Sequence, residues 1–309
     1  MALRDYLRTE IALDHVEGHL TRREALNRLG LLGLSTAAAS SLLAACAAET
    51  APSVAAPPTP ESAAAAATPA PSAAAAPGYD VAAALARTGP VTFPGAAGEL
   101  SGGFAAPDGT PRGAVLVVHE NRGLTDHIRA VAGRLAGDGY AALAPDLLSR
   151  VGGTAGVPDA TAALGGLGEA DLISDLQSGL TELGRRMPGV PQAAMGFCFG
   201  GGMAWRLLNG APTELAAAVP FYGPAPAEPT FANTRAAVLG VFAELDNRVN
   251  AGRDALDAAL TARGLTHEMV TVPGVDHAFF NDTGPRFNAA AAAATYQRVL
   301  DWFGRYLTT

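Results

Sequence analysis

The run Ala-Met-Gly-Phe-Cys-Phe-Gly-Gly-Gly at residues 194–202 decides how this chain folds. It predicts a short apolar strand, a sharp Gly-x-Cys-x-Gly turn and a helix that continues through residues 203–208. The apex of such a turn has a strained backbone, so the residues two positions to either side must be small. Gly196 and Gly200 meet that need, and the pattern is typical of a nucleophile presented between a strand and a helix.

Cys198 is the residue at the apex of this turn. The start of the following helix offers backbone N–H groups and the positive end of the helix dipole, and both favour a thiolate. A single cysteine can instead be a small buried apolar residue, and that alternative stays open. Within this motif we expect Cys198 to act chemically.

Residues 1–46 resemble a bacterial export signal. Arg22-Arg23 precede an apolar stretch, and Leu43-Ala44-Ala45-Cys46 resembles a lipobox. The pattern predicts twin-arginine export to the periplasm or another extracytoplasmic face, cleavage before Cys46 and lipidation of that residue, which would anchor the protein to a membrane. An uncleaved anchor and a plain cleaved signal are the alternatives, although about 17 apolar residues are few for a membrane span.

Residues 47–86 consist almost entirely of Ala, Pro, Ser, Thr and Glu. Such a segment lacks the large apolar side chains that offset the entropy of ordering, so it predicts a disordered tether. Residues 87–309 remain as one folded domain, which is long enough to bury a substantial core.

The composition also limits the partners. The net charge is −8, and all 21 basic residues are arginines without a basic cluster, which argues against nucleic acid. The chain has no His/Cys cluster with metal-ligand spacing and no glycine-rich phosphate loop, so no metal or cofactor is expected.

Strand-like and helix-like stretches alternate after residue 112 and predict an α/β fold. Its central sheet would be mostly parallel, with helices on both faces, and side chains with a chemical role would lie at the carboxyl ends of strands. Residues 147–168, rich in Gly and Ala, are predicted as an irregular cap or loop. The predicted strands are 114–118, 140–144, 194–197, 216–222, 237–242 and 268–272, and the predicted helices are 126–138, 170–187, 203–208, 253–263 and 289–307.

Two further residues could complete a catalytic triad with Cys198, because a weak nucleophile needs a base and the base needs an orienting carboxylate. Asp246 follows one predicted strand and His277 follows the next, in the order nucleophile, acid, histidine. Glu244 and Asp276 compete for the role of the acid.

The strand at residues 114–118 leads into the loop His119-Glu120-Asn121-Arg122-Gly123. This loop is expected to supply one oxyanion donor, the backbone N–H of Asn121, beside that of Phe199 after the nucleophile. Glu120 would repel an oxyanion, so we expect it to exchange a proton with Cys198. A structural ion pair of Glu120 with an arginine is the alternative.

These motifs together resemble the dienelactone hydrolase family over residues 92–306, including Pro145-Asp146-Leu147 and Tyr222-Gly223. The resemblance implies an α/β-hydrolase fold and hydrolysis of an ester or enol-lactone through a thioester. It implies that Cys198 is the nucleophile, His277 the base and later the acid, and Asp246 the residue that orients it. Glu120 would activate the thiol.

The chain departs from the family where a substrate carboxylate is held. Archetypal members use arginines before the elbow helix and just after the histidine, and neither place has one here. Arg122 could substitute through its bidentate guanidinium, or it could be a surface or ion-pair residue. Tyr222 is a further candidate for contact with the substrate.

The sequence therefore predicts a cysteine-dependent carboxylic ester hydrolase that acts on a small-molecule ester or lactone. Two alternatives remain. A surface ligand-binding lipoprotein on an inactive hydrolase scaffold is one, and redox or acyl-transfer chemistry at Cys198 is the other. Redox chemistry would need another thiol to resolve a sulfenic acid, and Cys46 is expected to be lipidated.

Overall fold

A central sheet of eight strands organises the protein, in the order β1-β2-β4-β3-β5-β6-β7-β8. The computed structural model describes residues 2–50, 80–210 and 214–308. The pairs β1/β2 and β2/β4 are antiparallel and all others are parallel. The strands are β1 Gly89–Gly95, β2 Gly98–Ala105, β3 Ala114–Val118, β4 Ala141–Pro145, β5 Gln192–Phe197, β6 Ala217–Phe221, β7 Ala237–Ala243 and β8 His267–Val272.

Helices cover both faces of this sheet and confirm the predicted α/β-hydrolase architecture. Strands β3, β4, β6 and β7 are buried along their whole length, as expected of parallel strands covered on both sides. The helices of the hydrolase domain are α4 Val81–Ala86, α5 Asp126–Gly137, α6 Ala160–Gly166, α7 Glu169–Arg186, α8 Phe199–Gly210, α9 Asn247–Asn250, α10 Arg253–Ala262 and α11 Ala289–Tyr306.

The predicted turn between β5 and α8 is present. Cys198 has a φ of 57°, the left-handed region that few side chains adopt. A Cβ on Gly196 would lie 2.2 Å from the carbonyl oxygen of Gly200, and one on Gly200 would lie 2.3 Å from that of Val118. Only glycine fits at these two positions, which explains the spacing that the sequence shows.

The structure differs from the predicted domain boundaries at both ends of the tether. Residues 47–50 belong to a helix, and α4 occupies residues 81–86 with Asp80 as its N-cap. Ala84 is buried where α4 packs against α5, so the hydrolase domain begins near residue 80 instead of 87. The rest of the predicted tether, residues 51–79, lies outside the described residues.

The segment at 147–168 is more regular than predicted. It contains two 3₁₀ turns, Ser149–Val151 and Thr154–Gly156, and the helix α6. Asp159 caps α6 by accepting a hydrogen bond from the backbone N–H of Ala162 at 3.0 Å. The many Gly and Ala residues hid this helix because they give it no strong apolar periodicity.

The first fifty residues fold as three helices, α1 Leu3–Val16, α2 Arg22–Leu31 and α3 Thr36–Thr50, which we call the N-terminal helical segment. They pack against one another, and α1 and α2 also contact α6. The apolar stretch of the predicted export signal is thus divided between α2 and α3, with Gly33 in a left-handed conformation between them. Within the described ranges, no helix is both long and apolar enough to cross a membrane.

Candidate active site

Three connections at the carboxyl ends of parallel strands bring the side chains of the predicted triad together. Cys198 follows β5, Asp246 follows β7 and His277 follows β8. All three side chains are buried. Strands that are parallel end at the same edge of the sheet, so three residues far apart in sequence meet there.

The acid in this group is Asp246. Its Oδ2 lies 2.5 Å from His277 Nδ1. The two competing carboxylates have other partners: Glu244 is exposed and accepts from the backbone N–H of Gly274, and Asp276 accepts from the backbone N–H of His277. With Nδ1 bonded to Asp246, the imidazole presents Nε2 to Cys198, whose Sγ lies within 4.8 Å of a His277 ring nitrogen.

Burial and charge set the protonation of the triad. Burial alone would lower the pKa of His277, but the Asp246 and Glu10 carboxylates outweigh it and raise that pKa well above its usual value. Burial raises the pKa of the Cys198 thiol, and Glu10 raises it further. Burial would raise the pKa of Asp246, but His277 lowers it overall. Both directions favour the protonated forms, a thiol on Cys198 and an imidazolium on His277.

The loop after β3 lies against this triad. Asn281 Nδ2 donates a hydrogen bond to Glu120 Oε2, while Oε1 is buried and has no hydrogen-bond partner among the described residues. Over the same residues, no hydrogen bond joins Glu120 to Cys198. Glu120 contributes to the raised pKa of the Cys198 thiol through its charge. Asn281, which bonds to Glu120, was not predicted as a site residue.

The predicted oxyanion donors are the backbone N–H groups of Phe199 and Asn121. Phe199 is the first residue of α8, and the N–H groups in the first turn of a helix have no acceptor within the helix. Asn121 is buried and lines the same cavity as Cys198. Their role in binding an oxyanion stays a prediction.

A cavity of about 190 Å³ opens at the triad. Arg122 and Arg286 lie at it, and the remaining lining residues are Glu10, Asp14, His19, Glu120, Asn121, Cys198, His277, Ala278, Asn281, Thr283, Gly284 and Pro285.

Comparison with known proteins identifies the family. The sequence profile of the dienelactone hydrolase family matches residues 100–307, more than half of the chain. The chain belongs to the dienelactone hydrolase family. It is therefore a carboxylic ester hydrolase with the α/β-hydrolase fold.

Relatives with this fold cover most of the hydrolase domain. A "Putative carboxymethylenebutenolidase" of Escherichia coli O157:H7 is 33% identical over 212 residues, which are 63% of this chain and 78% of the relative. A protein of the same description from Saccharolobus solfataricus is 30% identical over 241 residues, 65% of this chain and 93% of the relative. The crystal structure of a "Putative Dienelactone Hydrolase" from Klebsiella pneumoniae is 29% identical, with a TM-score of 0.64, and covers 71% of this chain and 98% of that one.

Arg122 and Tyr222, the two predicted substrate contacts of this dienelactone hydrolase, have different surroundings. The Arg122 side chain is 59% exposed at the cavity, 3.5 Å from Asp14. Tyr222 is fully buried, and its ring packs edge-on against His277 with centroids 5.0 Å apart. Tyr222 therefore supports the base and does not line the cavity.

Two residues from α1 enter the site, although the sequence did not point to them. The Tyr6 hydroxyl lies 3.1 Å from Cys198 Sγ and 3.4 Å from His277 Nε2. Glu10 is buried, with Oε2 3.9 Å from Sγ, and pairs with Arg248. The sequence did contain a pattern that could have indicated these residues. Their spacing is that of one face of an amphipathic helix, within the predicted export signal. The residues with this spacing are Leu3, Tyr6, Leu7, Glu10 and Ile11.

Glu10, Cys198 and His277 could also hold a metal ion, since their donor atoms lie within 4.8 Å of one another. Thiolate, imidazole and carboxylate are the donors that zinc takes. The Arg248 guanidinium already neutralises Glu10, however, and a second cation beside it would be repelled. The types of donor atom are therefore those that a zinc ion takes, but the positive charge of Arg248 beside them opposes a bound cation.

Proposed function

We propose that this enzyme hydrolyses an ester or enol-lactone through a thioester on Cys198. The observation that carries the proposal is the left-handed Cys198 on its turn, with His277 held by Asp246 at 2.5 Å beside it. This is the arrangement of nucleophile, base and orienting acid that acyl transfer requires. A binding protein would need none of these three groups.

The proposed reaction begins when His277 Nε2, in its neutral form, takes the thiol proton and Sγ attacks the substrate carbonyl carbon. The carbonyl oxygen becomes an oxyanion that the N–H groups of Asn121 and Phe199 stabilise. Collapse of this intermediate breaks the ester bond, and the leaving oxygen takes the proton from His277. Water then gives a proton to His277 and attacks the thioester, which releases the acid and restores the thiol.

Glu120 is proposed to activate the thiol. Its Oε1 has no hydrogen-bond partner in the described part of the chain, so it can take the thiol proton where His277 is already protonated, and return it when the thioester is hydrolysed. The raised pKa of the Cys198 thiol supports this role, because an activating base is needed where the thiolate does not form readily.

Export through the twin-arginine route remains part of the proposal. Arg22 and Arg23 begin α2 and are both exposed, which supports recognition by an export receptor. Cys46 is buried in α3, so lipidation requires the N-terminal helical segment to separate first. Fractionation of cells that produce the wild-type chain or an Arg22→Lys/Arg23→Lys variant tests this proposal.

Thiol alkylation tests the proposed activity. The full chain is assayed on p-nitrophenyl acetate and on a dienelactone, each with and without prior iodoacetamide, and peptide mass mapping reports which cysteine is modified. We expect turnover that falls in proportion to alkylation of Cys198 and not of Cys46. Turnover that persists with Cys198 fully alkylated would contradict the cysteine mechanism.

A further inference from the structure

Helix α1 lies across the active site with its buried face inward. Leu3, Leu7 and Ile11 place apolar side chains on that face, and Tyr6 and Glu10 lie between them above the triad. The family profile matches residues 100–307, so α1 lies outside the part of the chain that matches the family. A helix that places two side chains beside the catalytic residues needs a functional explanation.

Tyr6 occupies the space that the substrate must enter. A carbonyl carbon has to come within about 3–3.5 Å of the nucleophile, with its leaving oxygen near the base. The Tyr6 hydroxyl already lies 3.1 Å from Sγ and 3.4 Å from His277 Nε2. We propose that α1 is an intramolecular competitive inhibitor, bound at the active-site mouth in place of substrate. This inference rests on the proposed function of the same site.

Arg248 is the residue that holds α1 in place. Its Nη2 donates to Glu10 Oε1, and its guanidinium carbon lies 4.5 Å from the centroid of the Tyr6 ring. Arg248 therefore contacts both α1 residues that enter the site. It follows Asp246 by two residues, so the anchor for α1 is built into the same connection as the catalytic acid.

The charge of Glu10 also acts on the nucleophile. Glu10 Oε2 lies 3.9 Å from Cys198 Sγ. Burial raises the pKa of the Cys198 thiol, and Glu10 adds to this effect. While α1 is bound, the Glu10 carboxylate therefore favours the less reactive thiol form of Cys198.

The rim of the site is closed by ion pairs from the same segment. Asp14 lies 3.5 Å from Arg122, and Glu17 lies 3.1 Å from Arg286. The cavity that remains, about 190 Å³, is smaller than the roughly 300–1,000 Å³ of ordinary ligand pockets. Cleavage before Cys46, which the proposed export signal predicts, would remove α1 and open the site.

The test is a full-chain variant in which α1 cannot bind. Leu7→Asp with Ile11→Asp puts two charges on the buried face, and neither residue contacts the triad through a hydrogen bond. Ala2→Asp with Thr9→Asp is the matched control, because it adds the same charges to positions outside that face. We expect kcat/KM on p-nitrophenyl acetate and the alkylation rate of Cys198 to rise at least about 10-fold in the first variant only.

A peptide in trans tests whether α1 acts as a ligand. A synthetic peptide of residues 2–20 should inhibit the Leu7→Asp/Ile11→Asp variant competitively, at concentrations up to about millimolar, because a tethered helix acts at millimolar effective concentration. The same peptide with Tyr6→Ala and Glu10→Ala should inhibit at least about 10-fold less. Thermal unfolding of each variant checks that the hydrolase domain stays folded.

The outcomes separate this inference from the proposed function. Faster alkylation of Cys198 without ester turnover in any variant would support inhibition by α1 and contradict the activity. Equal alkylation and turnover in the wild type, the variant and the control would overturn the inference. Faster alkylation with lower turnover would also overturn it, because α1 would then supply groups that catalysis needs. If the variant does not fold, the conservative Tyr6→Phe and Glu10→Gln chains replace it, with the same expected direction.

Discussion

Cys198→Ala is expected to lower kcat/KM for p-nitrophenyl acetate by at least about 10³-fold, because loss of the nucleophile in a triad removes nearly all of its contribution. Alanine is close in size to cysteine, and the side chain at this position is only 3% exposed, so the fold should persist. The measurement is steady-state kinetics, with the melting temperature as a check on folding.

Cys46→Ala is the matched control for this variant. Cys46 is also a buried cysteine, but it lies in α3 and not at the carboxyl ends of the strands. We expect its kcat/KM to stay within about 3-fold of the wild type, in contrast to the roughly 10³-fold loss at Cys198. Equal activity of Cys198→Ala and the wild type would exclude covalent catalysis at this residue.

Asp246→Asn is the second variant with a large expected effect, a fall in kcat of about 10³–10⁴-fold. An amide that donates to His277 Nδ1 would favour the wrong tautomer and would no longer stabilise the imidazolium. Asp246 also caps α9 by accepting from the backbone N–H of Val249 at 3.1 Å. Asparagine caps helices about as well, so the loss of activity should come without loss of stability.

Glu244→Gln provides the control for Asp246→Asn, since it removes the same charge two residues away. Glu244 is exposed and bonds to the backbone of Gly274 instead of to the histidine. Its kcat should change less than about 3-fold. A large loss at Glu244 with little loss at Asp246 would show that the acid of the triad is misassigned.

The meeting of Cys198, Asp246 and His277 could be predicted because parallel strands impose a simple rule. Residues just after the ends of β5, β7 and β8 must meet at one edge of the sheet, whatever their distance in sequence. The same rule does not decide which of Asp246, Glu244 and Asp276 bonds to the histidine. All three are near the correct strand ends, and only the direction of each side chain, which depends on the connections around it, decides between them.

The position of α1 could not be predicted, because its pattern has two physical meanings. An apolar face flanked by charges suits a helix that packs on a protein as well as a leader sequence. The partner surface comes from Cys198, Arg248 and His277, which lie between 188 and 271 residues away along the chain. Helix α6, which contacts α1, was also missed, because its Ala and Gly residues carry little periodicity.

The contact between Glu120 and Asn281 is a second feature of the site that the sequence did not predict. Both residues follow strand ends, and the chemical character of each is plain from the sequence. In the structure Glu120 Oε2 accepts a hydrogen bond from Asn281, a contact that the sequence did not predict. Side-chain rotamers of this kind depend on contacts in the folded site, so they cannot be read from the sequence.

The most direct test of the central claim is to trap the acyl-enzyme. The full chain is mixed with p-nitrophenyl acetate, quenched in acid during turnover, digested and mapped by mass spectrometry. The account predicts one acetyl group on the peptide that contains Cys198, removable by neutral hydroxylamine as a thioester is. Turnover with no acetyl group on Cys198, or with the group on another side chain such as Tyr6, would contradict it.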